Sequence, residues 1–518
     1  MERAQLLQHF DTLAETPDAV EKFRRLVLDF AIRGRLVPQN PNDEPAIQLI
    51  ERAKAGLTKK REKSTGQKNG EREVSPFGIP KNWCWTCLEE LGETSPRNEI
   101  ADTTDVGFSP MRLVNAKFGE PISFERKTWS EIRKGFTHFA EGDVVVAKIT
   151  PCFENGKSGV IRGAPNGLGA GTTELHVLRP VANCVLPEYV LVFLKSPHFL
   201  LNGEKHMTGS AGQKRVPANY FSKTPFPLPP LAEQQRIVAK VQELLALCDE
   251  LEARQSAGRE HRTRLVRSAL DHLTTAQSEL EFRQHAAFVL QHSDLVLDSV
   301  STLRQTILSL AVQGRLVSPD KQRSRNVKLG EVADSRLGKM LDQQKNRGAL
   351  RPYLRNTNVH WFKFELDSIK EMRLEDDELE TYSLKKGDVL ICEGGHGIGR
   401  TAVWKGEILG MVFQKALHRV RPSKELDSHF FSFCMKVYAD TGVLEGYFTG
   451  AGIPHFTGQS LAKMIFPLPP LAEQQRIVVK VDELMRWCDA LEARLTAAQN
   501  HATHLLDATL HQILAAEP

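Results

Sequence analysis

FPLPPLAEQQRIV stands at Phe226–Val238, and the same thirteen residues stand again at Phe466–Val478, 240 positions further on. Over the longer windows Phe226–Arg254 and Phe466–Arg494, 23 of 29 positions are identical. Chance does not produce that, so the chain is two copies of one unit. A unit of 240 residues far exceeds the repeats of solenoids and propellers, which makes this a duplicated module and not a repeat array. The sequence between the copies has diverged strongly. A frame kept alike, carrying two unlike heads, is the organisation this contrast predicts.

Within the string, FPLPP reads as an extended exit from a preceding domain. Pro230 suits a first helical turn, where a missing N–H costs nothing, and Glu233 suits the positive helix N-terminus. Ile237, Val241, Leu244, Cys248 and Leu251 then recur at 4-3-4-3 spacing. The second copy runs longer, through Ile477, Val481, Leu484, Cys488, Leu491, Leu495, Ala498, Ala502 and Leu505. That is a coiled-coil seam. The first copy loses it at Gln255 and Gly258 and recovers it at Leu265. A helix from Leu231 to about Leu273 spans about 60 Å at 1.5 Å per residue.

A second repeated element precedes each head. Val20, Phe23, Val27 and Phe30 correspond to Val300, Leu303, Ile307 and Leu310. Both helices end in the same string, Gly34–Val37 and Gly314–Val317, where glycine is a natural helix stop. Thr16-Pro17 is a start signal for the first. Each unit therefore reads lead helix, glycine stop, variable head, FPLPP, long helix.

The heads carry short β runs, Asp143–Ala147 and Asp388–Cys392, among helical stretches. Faint kinship survives between them: Gly142-Asp143-Val144 with Gly387-Asp388-Val389, Arg112 and Asn115 with Arg355 and Asn358, Leu178-Arg179-Pro180 with Val420-Arg421-Pro422. A glycine-rich loop closes each head, at Gly209–Arg215 and Gly450–His455. The heads share an ancestor and a fold but not a surface. The fold class is α+β with a pseudo-two-fold internal duplication. The boundaries are 1–56 helical, 57–76 a charged flexible linker, 77–225 first head, 226–318 central helical region, 319–465 second head and 466–518 terminal helix.

At 41% hydrophobic and 25% charged residues, composition is that of an ordinary globular protein. No apolar run approaches the ~20 residues of a membrane span, and the first fifteen residues do not read as a signal peptide. Eight cysteines over 518 residues do not make a disulfide scaffold, and the expected compartment is the cytoplasm. Net charge is only +4, so a basic footprint for nucleic acid must be local.

Catalytic motifs fail on inspection. Glu393–Gly399 fits the E-x-G-x-G-x-G pattern of nucleotide methyltransferases, but Arg400–Trp404 reads as a strand where a cofactor site needs a helix N-terminus. Gly156-Lys157-Ser158 lacks the upstream glycine of a P-loop, Pro151 standing there instead. Cys84 and Cys87 have no second cysteine pair to complete a zinc site. Neither HExxH nor GxSxG occurs. What remains is recognition. Two unlike heads on a rigid frame can read two short elements at a set distance, and one turn of B-DNA is about 34–36 Å. Unlike heads predict a bipartite, asymmetric target.

These strings, in this order, resemble the specificity (S) subunits of type I restriction–modification enzymes, over essentially the whole chain. The resemblance implies two target recognition domains joined by the family's long conserved helices, which form an antiparallel coiled-coil spacer. It implies double-stranded DNA as ligand, two modification (M) subunits on the spacer, and restriction (R) subunits completing an ATP-driven nuclease. Catalysis and cofactors then belong to the partners: S-adenosylmethionine and adenine-N6 methylation to M, ATP and Mg2+ to R, none to this chain. The 76 residues before the first head exceed those of compact family members. The competing reading is a non-catalytic coiled-coil scaffold whose heads bind protein or glycan.

Arginine and lysine read guanine edges or phosphates, and asparagine and glutamine read adenine. On that chemistry the expected DNA-binding residues are Arg112, Asn115, Lys148, Lys157, Gln213, Lys214 and Arg215 in the first head, with Arg355, Asn358, His396, Arg400 and His455 in the second. Partner docking is expected at Leu231, Gln235 and Ile237 and at Leu471, Gln475 and Ile477. No metal site is expected.

Overall fold

Phe226–Leu228 is the last strand of the first head, and it pairs antiparallel with that head's first strand, Cys84–Thr86. The second head closes the same way, Arg325–Lys328 against Ile465–Leu468. Each head thus begins and ends at one two-stranded ribbon. The paired prolines that follow end the strand, and a 45-residue helix starts at once: Leu231–Thr275 after the first head, Leu471–Ala515 after the second. We call these helices the struts. This computed structural model describes residues 14–275 and 300–515 except 15, 17, 62–75, 211, 319–323, 343–345, 396 and 451–453, together with 278, 280, 281, 284 and 285.

Two compact units divide the chain. The first is Met1–Ala257 with Gln499–Pro518, and the second is Gly258–Ala498. Each contains a lead helix, Ala19–Ile32 or Val300–Val312. Both lead helices stop at a glycine of left-handed backbone, Gly34 at φ 68° and Gly314 at φ 69°. The following arginine N–H groups bond back to Phe30 and Leu310 at 3.0 and 2.9 Å, the geometry that makes glycine the natural stop.

The main sheet of each head matches strand for strand. In the first, a four-stranded antiparallel sheet runs Gly92–Thr94, Leu175–Pro180, Val144–Ala147, Ser158–Val160. In the second, the same order runs Ala333–Leu337, Leu417–Pro422, Val389–Cys392, Thr401–Val403. A second sheet in each contains one parallel pair, Asp105–Ser109 with Leu168–Gly171 and Ala349–Leu354 with Val412–Phe413. The two predicted β runs are the buried central strands.

The sequence kinship between heads has a physical cause. Asp143 and Asp388, each 1% exposed, sit at the start of the central strand. Arg179 chelates Asp143 at 2.9 and 2.8 Å, and Arg421 chelates Asp388 at 2.6 and 2.7 Å. The Gly-Asp-Val and Arg-Pro signatures are thus the two ends of one ion pair. Removing either partner strands a buried charge, which costs about 3–5 kcal/mol.

Three sequence expectations change. The polar stretch expected as linker from residue 57 begins as helix, since Ala46–Arg61 is continuous; lysine and arginine are good helix formers. The rest of that stretch, 62–75, lies outside the described residues. The seam also shifts. Leu265 and Leu505 are 42% and 36% exposed, while Val266 and Leu506 are buried. A straight helix drifts by roughly 20° per heptad, so about 80° over four heptads. The inward position then moves one residue on, from 265 to 266 and from 505 to 506. Finally, Ile237 and Ile477 are 0% exposed and lie in the core of their own unit, against the lead helix and the head. They hold the strut in place and present nothing to a partner.

Candidate nucleic-acid interface

Three loops meet at one edge of each head. The first is a 3-10 turn after a sheet strand, Met111–Leu113 or Asn356–Asn358. The second leaves the central strand, at 148–157 or 393–400. The third is a hairpin closed by a bridge, Thr208 to Arg215 or Thr449 to His455. Its closing residue also bridges the central loop, Arg215 to Ile149 and His455 to Gly394. The backbone of each hairpin is therefore held from two sides.

In the first head, Arg112 is exposed and paired with Glu125. Lys157 is drawn inward: its Nζ donates to Met111 O at 3.1 Å and ties the second loop to the first. Lys195, buried under both loops, donates to Ala116 O at 2.6 Å and Gly156 O at 2.8 Å, and burial lowers its pKa to about 7. Gln213 and Lys214 are exposed at the hairpin. Lys214 is anchored by its backbone to Thr150, which leaves the amine outward. Arg215 is clamped by Glu174, Nε and Nη2 each donating at 2.9 Å. The guanidinium holds that carboxyl below its usual range. Lys148 stands half-buried beside Glu174, its backbone bonded on both sides, to Glu174 O at 2.9 Å and from Val216 N at 2.8 Å.

In the second head, Arg355 donates to Ser368 O at 2.7 Å. Asn356 donates to Gly394 O at 2.5 Å and joins the first loop to the second. Arg400 folds over Gly397, where an added Cβ would meet its Nε at 2.3 Å. His455 lies 3.4 Å from Glu393 through Nδ1. His396 lies outside the described residues.

The expected adenine readers do something else. Asn358 is 0% exposed, accepts from Arg355 N at 2.9 Å and donates to Glu365 O at 2.9 Å. A side chain spent on its own turn cannot face a base. Asn115 is a similar brace, donating to Pro121 O at 2.9 Å. Lys157 joins them as a brace. The decoys resolve as strands and loops: Thr401–Val403 follows the Gly394–Gly399 loop as a strand, where the motif needs a helix. Cys84 and Cys87 are free, and burial pushes the Cys87 thiol up to about 11.

Sequence reasoning missed the acids. Glu174 and Glu393 sit among the expected cations, where a search for positive charge passes over them. It also missed Gln234 and Gln474, each 0% exposed. Gln234 accepts from Leu186 N at 2.8 Å and donates to Pro229 O at 3.0 Å; Gln474 accepts from Asp427 N at 2.8 Å and donates to Pro469 O at 2.8 Å. Position 234 shares the 237–241 helical face, so periodicity marks it as inward. On the opposite face Gln235 and Gln475 are exposed. A groove of about 380 Å³ beside Gln475 is lined by Val317, Ala472, Arg476, Val479, Lys480 and Glu483.

Among the described residues no helix is long and apolar enough to cross a membrane, and no cluster of acids, histidines and cysteines is arranged to hold a metal ion. A pattern described as the type I restriction modification DNA specificity domain matches twice, over residues 80–258 and 322–498. The chain is 34% identical to the type I restriction enzyme EcoAI specificity subunit of Escherichia coli, across 94% of this chain and 93% of that one. It is 32% identical to the EcoEI specificity subunit of the same species, with the same coverages. A solved chain from work on complex assembly and conformational transition of the type I R-M system superposes with a TM-score of 0.53 at 19% identity, covering 85% of this chain and 99% of that one. With both heads and both strut beginnings inside the matched segments, this chain belongs to the family of type I restriction–modification specificity subunits.

Proposed function

We propose that this chain reads DNA for a type I restriction–modification system and performs no chemistry itself. Each head takes one half of a bipartite, asymmetric target in double-stranded DNA. The struts set the separation and carry two modification subunits, which bind S-adenosylmethionine and methylate adenine at N6. Restriction subunits join that complex and supply ATP- and Mg2+-dependent cleavage. The setting is the cytoplasm.

One observation carries this reading. The heads retain the same buried skeleton, ion pair included, while the three-loop edge keeps its backbone bridges and changes most of its side chains. A scaffold gripping one protein or glycan twice would keep its edge alike. Docking fits the exposed Leu471 and Gln475, the exposed Gln235 and the half-buried Leu231.

Long-read detection of N6-methyladenine tests the proposal in cells making this chain with the modification subunit of its own system. A two-part motif is expected. Exchanging residues 77–225 for another allele's head should change one half only. Absence of any motif, or change in both halves, refutes it.

A further inference from the structure

Contacts inside the two heads fall into two groups. The first group is retained at equivalent positions. It includes the Asp–Arg ion pairs. His176 Nε2 donates to Val216 O at 2.9 Å, and His418 Nε2 donates to Phe456 O at 2.8 Å. Ser158 Oγ donates to Gly156 O, and Thr401 Oγ1 donates to Gly399 O, at 3.0 and 2.7 Å. These hold the fold, and each uses a like residue in both heads.

The second group is rebuilt between the heads. It includes the tie between the first two loops, Lys157 Nζ to Met111 O in one head and Asn356 Nδ2 to Gly394 O in the other, and the contact of the hairpin-closing residue. The hairpin-closing residue meets a carboxylate in both heads, but the carboxylate comes from different places. In the first head Arg215 is held by Glu174. The equivalent of Glu174 is Ala416, since Lys148 N donates to Glu174 O as Glu393 N donates to Ala416 O, at 2.9 and 3.0 Å. In the second head His455 faces Glu393, whose equivalent is Lys148. The acid stands at the Lys148 position in the second head, with alanine at the Glu174 position, around one fixed backbone socket.

The rebuilt loop tie is a brace in both heads, since each donor is spent on a backbone carbonyl; the hairpin-closing side chain instead meets an acid. A side chain that must face a different base in each head has reason to be rebuilt in this way. The side chains of Arg215 and His455 are also 42% and 46% exposed, at the point where the three loops meet. Glu174 occupies the Nε–Nη2 side of the guanidinium. The outer Nη1–Nη2 fork has only a 3.3 Å bond from Nη1 to Gln213 O. That fork matches the O6 and N7 acceptors of guanine in the major groove.

We infer that Arg215 and His455 are the paired specificity-determining residues of the two heads, Arg215 reading a guanine edge, and that Glu174 and Glu393 are positioning residues that aim them. This rests on the DNA-reading function proposed above.

The test uses the full chain assembled with the modification subunits of its own system. Motifs are read by N6-methyladenine sequencing, and affinity by competition with duplexes varied one base pair at a time. Arg215→Lys keeps the charge and loses the fork. It should lose roughly tenfold or more of the discrimination at one base pair of one half-site, with the other half unchanged. His455→Ala should do the same in the other half only. Glu174→Gln should keep the preferred base and reduce discrimination several-fold at that same base pair, with an unchanged melting temperature. If Arg215→Lys leaves every position of the motif intact, or weakens all sequences equally, Arg215 is a brace or a phosphate contact and the inference fails. A wild-type complex with no motif at all would fail the proposed function instead, so the two are told apart.

Discussion

Gln234→Leu separates the strut's inward work from its outward work. Leucine has nearly the same volume, so little cavity forms. What changes is hydrogen bonding. Leu186 N–H loses its acceptor at 2.8 Å, Pro229 O loses its donor at 3.0 Å, and Cys184 O loses a weaker contact at 3.4 Å. All three lie in a site that is 0% exposed at Gln234. A stranded buried group costs about 1–3 kcal/mol, and a carbonyl with a second lone pair less than an N–H, so the total is about 3 kcal/mol. At 1.4 kcal/mol per decade, that is roughly a hundredfold. Leu186 caps the head helix Pro187–Leu194, so the loss falls on the joint between head and strut. Hydrogen exchange read at the Leu186 amide reports it directly, because that amide is the broken donor. Exchange there should speed up roughly a hundredfold, while Asp427 in the other unit stays protected. Gln474→Leu should give the mirror image. Gln235→Leu, one residue on and exposed, should change neither. Leu186 exchange within threefold of wild type would refute the clamp. So would equal loss at Asp427, which would show the units to be one cooperative block.

Both heads should weaken in mild acid. His176 and His418 are buried with pKa values lowered, burial being the largest cause, so their stabilising contribution is present above the ordinary value of 6.5 and is lost as pH falls below it towards the lower folded value. Melting at pH 7.5 and 5.5 checks this, and His176→Phe should flatten the difference in the first head. Gly169→Ala should unfold the first head at much lower temperature, since the new Cβ meets Gly107 O at 2.1 Å across the parallel strand pair. Gly119→Ala, at φ 77° with open space around it, should cost only about 1–2 kcal/mol by chemical denaturation. Gln475→Asp places a charge on the exposed first turn of the second strut, where docking is proposed. Native mass spectrometry should then show complexes that have lost one modification subunit and kept the other, with affinity at that site down tenfold or more.

The fold was legible where the sequence repeats itself. FPLPP, the glycine stops and the 4-3-4-3 spacing located both struts and both lead helices. The drift of the seam was not, because a heptad count fixes a 3.5-residue period that the buried positions of these helices do not keep. Within the heads, residue chemistry named side chains on three loops that the fold brings to one edge, but several of those side chains are braces. Asn115, Asn358 and Lys157 were expected to face DNA, and each donates instead to a backbone carbonyl of its own head. Composition cannot distinguish a polar side chain that binds its neighbour from one that binds a ligand; hydrogen-bond geometry can. Glu174 and Glu393 were invisible for the opposite reason: an acid that aims a cation carries the wrong sign for a nucleic-acid search.

The identity of the struts has two sources, and burial separates them. Glu233, Gln234, Ile237 and Val241 are buried and hold the head, as Glu473, Gln474, Ile477 and Val481 do in the other unit. Any unit of this design needs them. Of the six positions that differ across the 29-residue window, five are exposed: 239, 242, 246, 247 and 250 with their partners 479, 482, 486, 487 and 490. The sixth, Leu245 against Met485, is a core exchange of similar volume. The outward face is thus free to vary and does vary. Against that background, Ala232 and Gln235 are exposed, identical to Ala472 and Gln475, and lie on the first turns of each strut. Packing inside the chain does not require that identity. A surface with no interior task, kept the same twice while its neighbours diverge, is what the proposed docking of one kind of partner on both struts predicts.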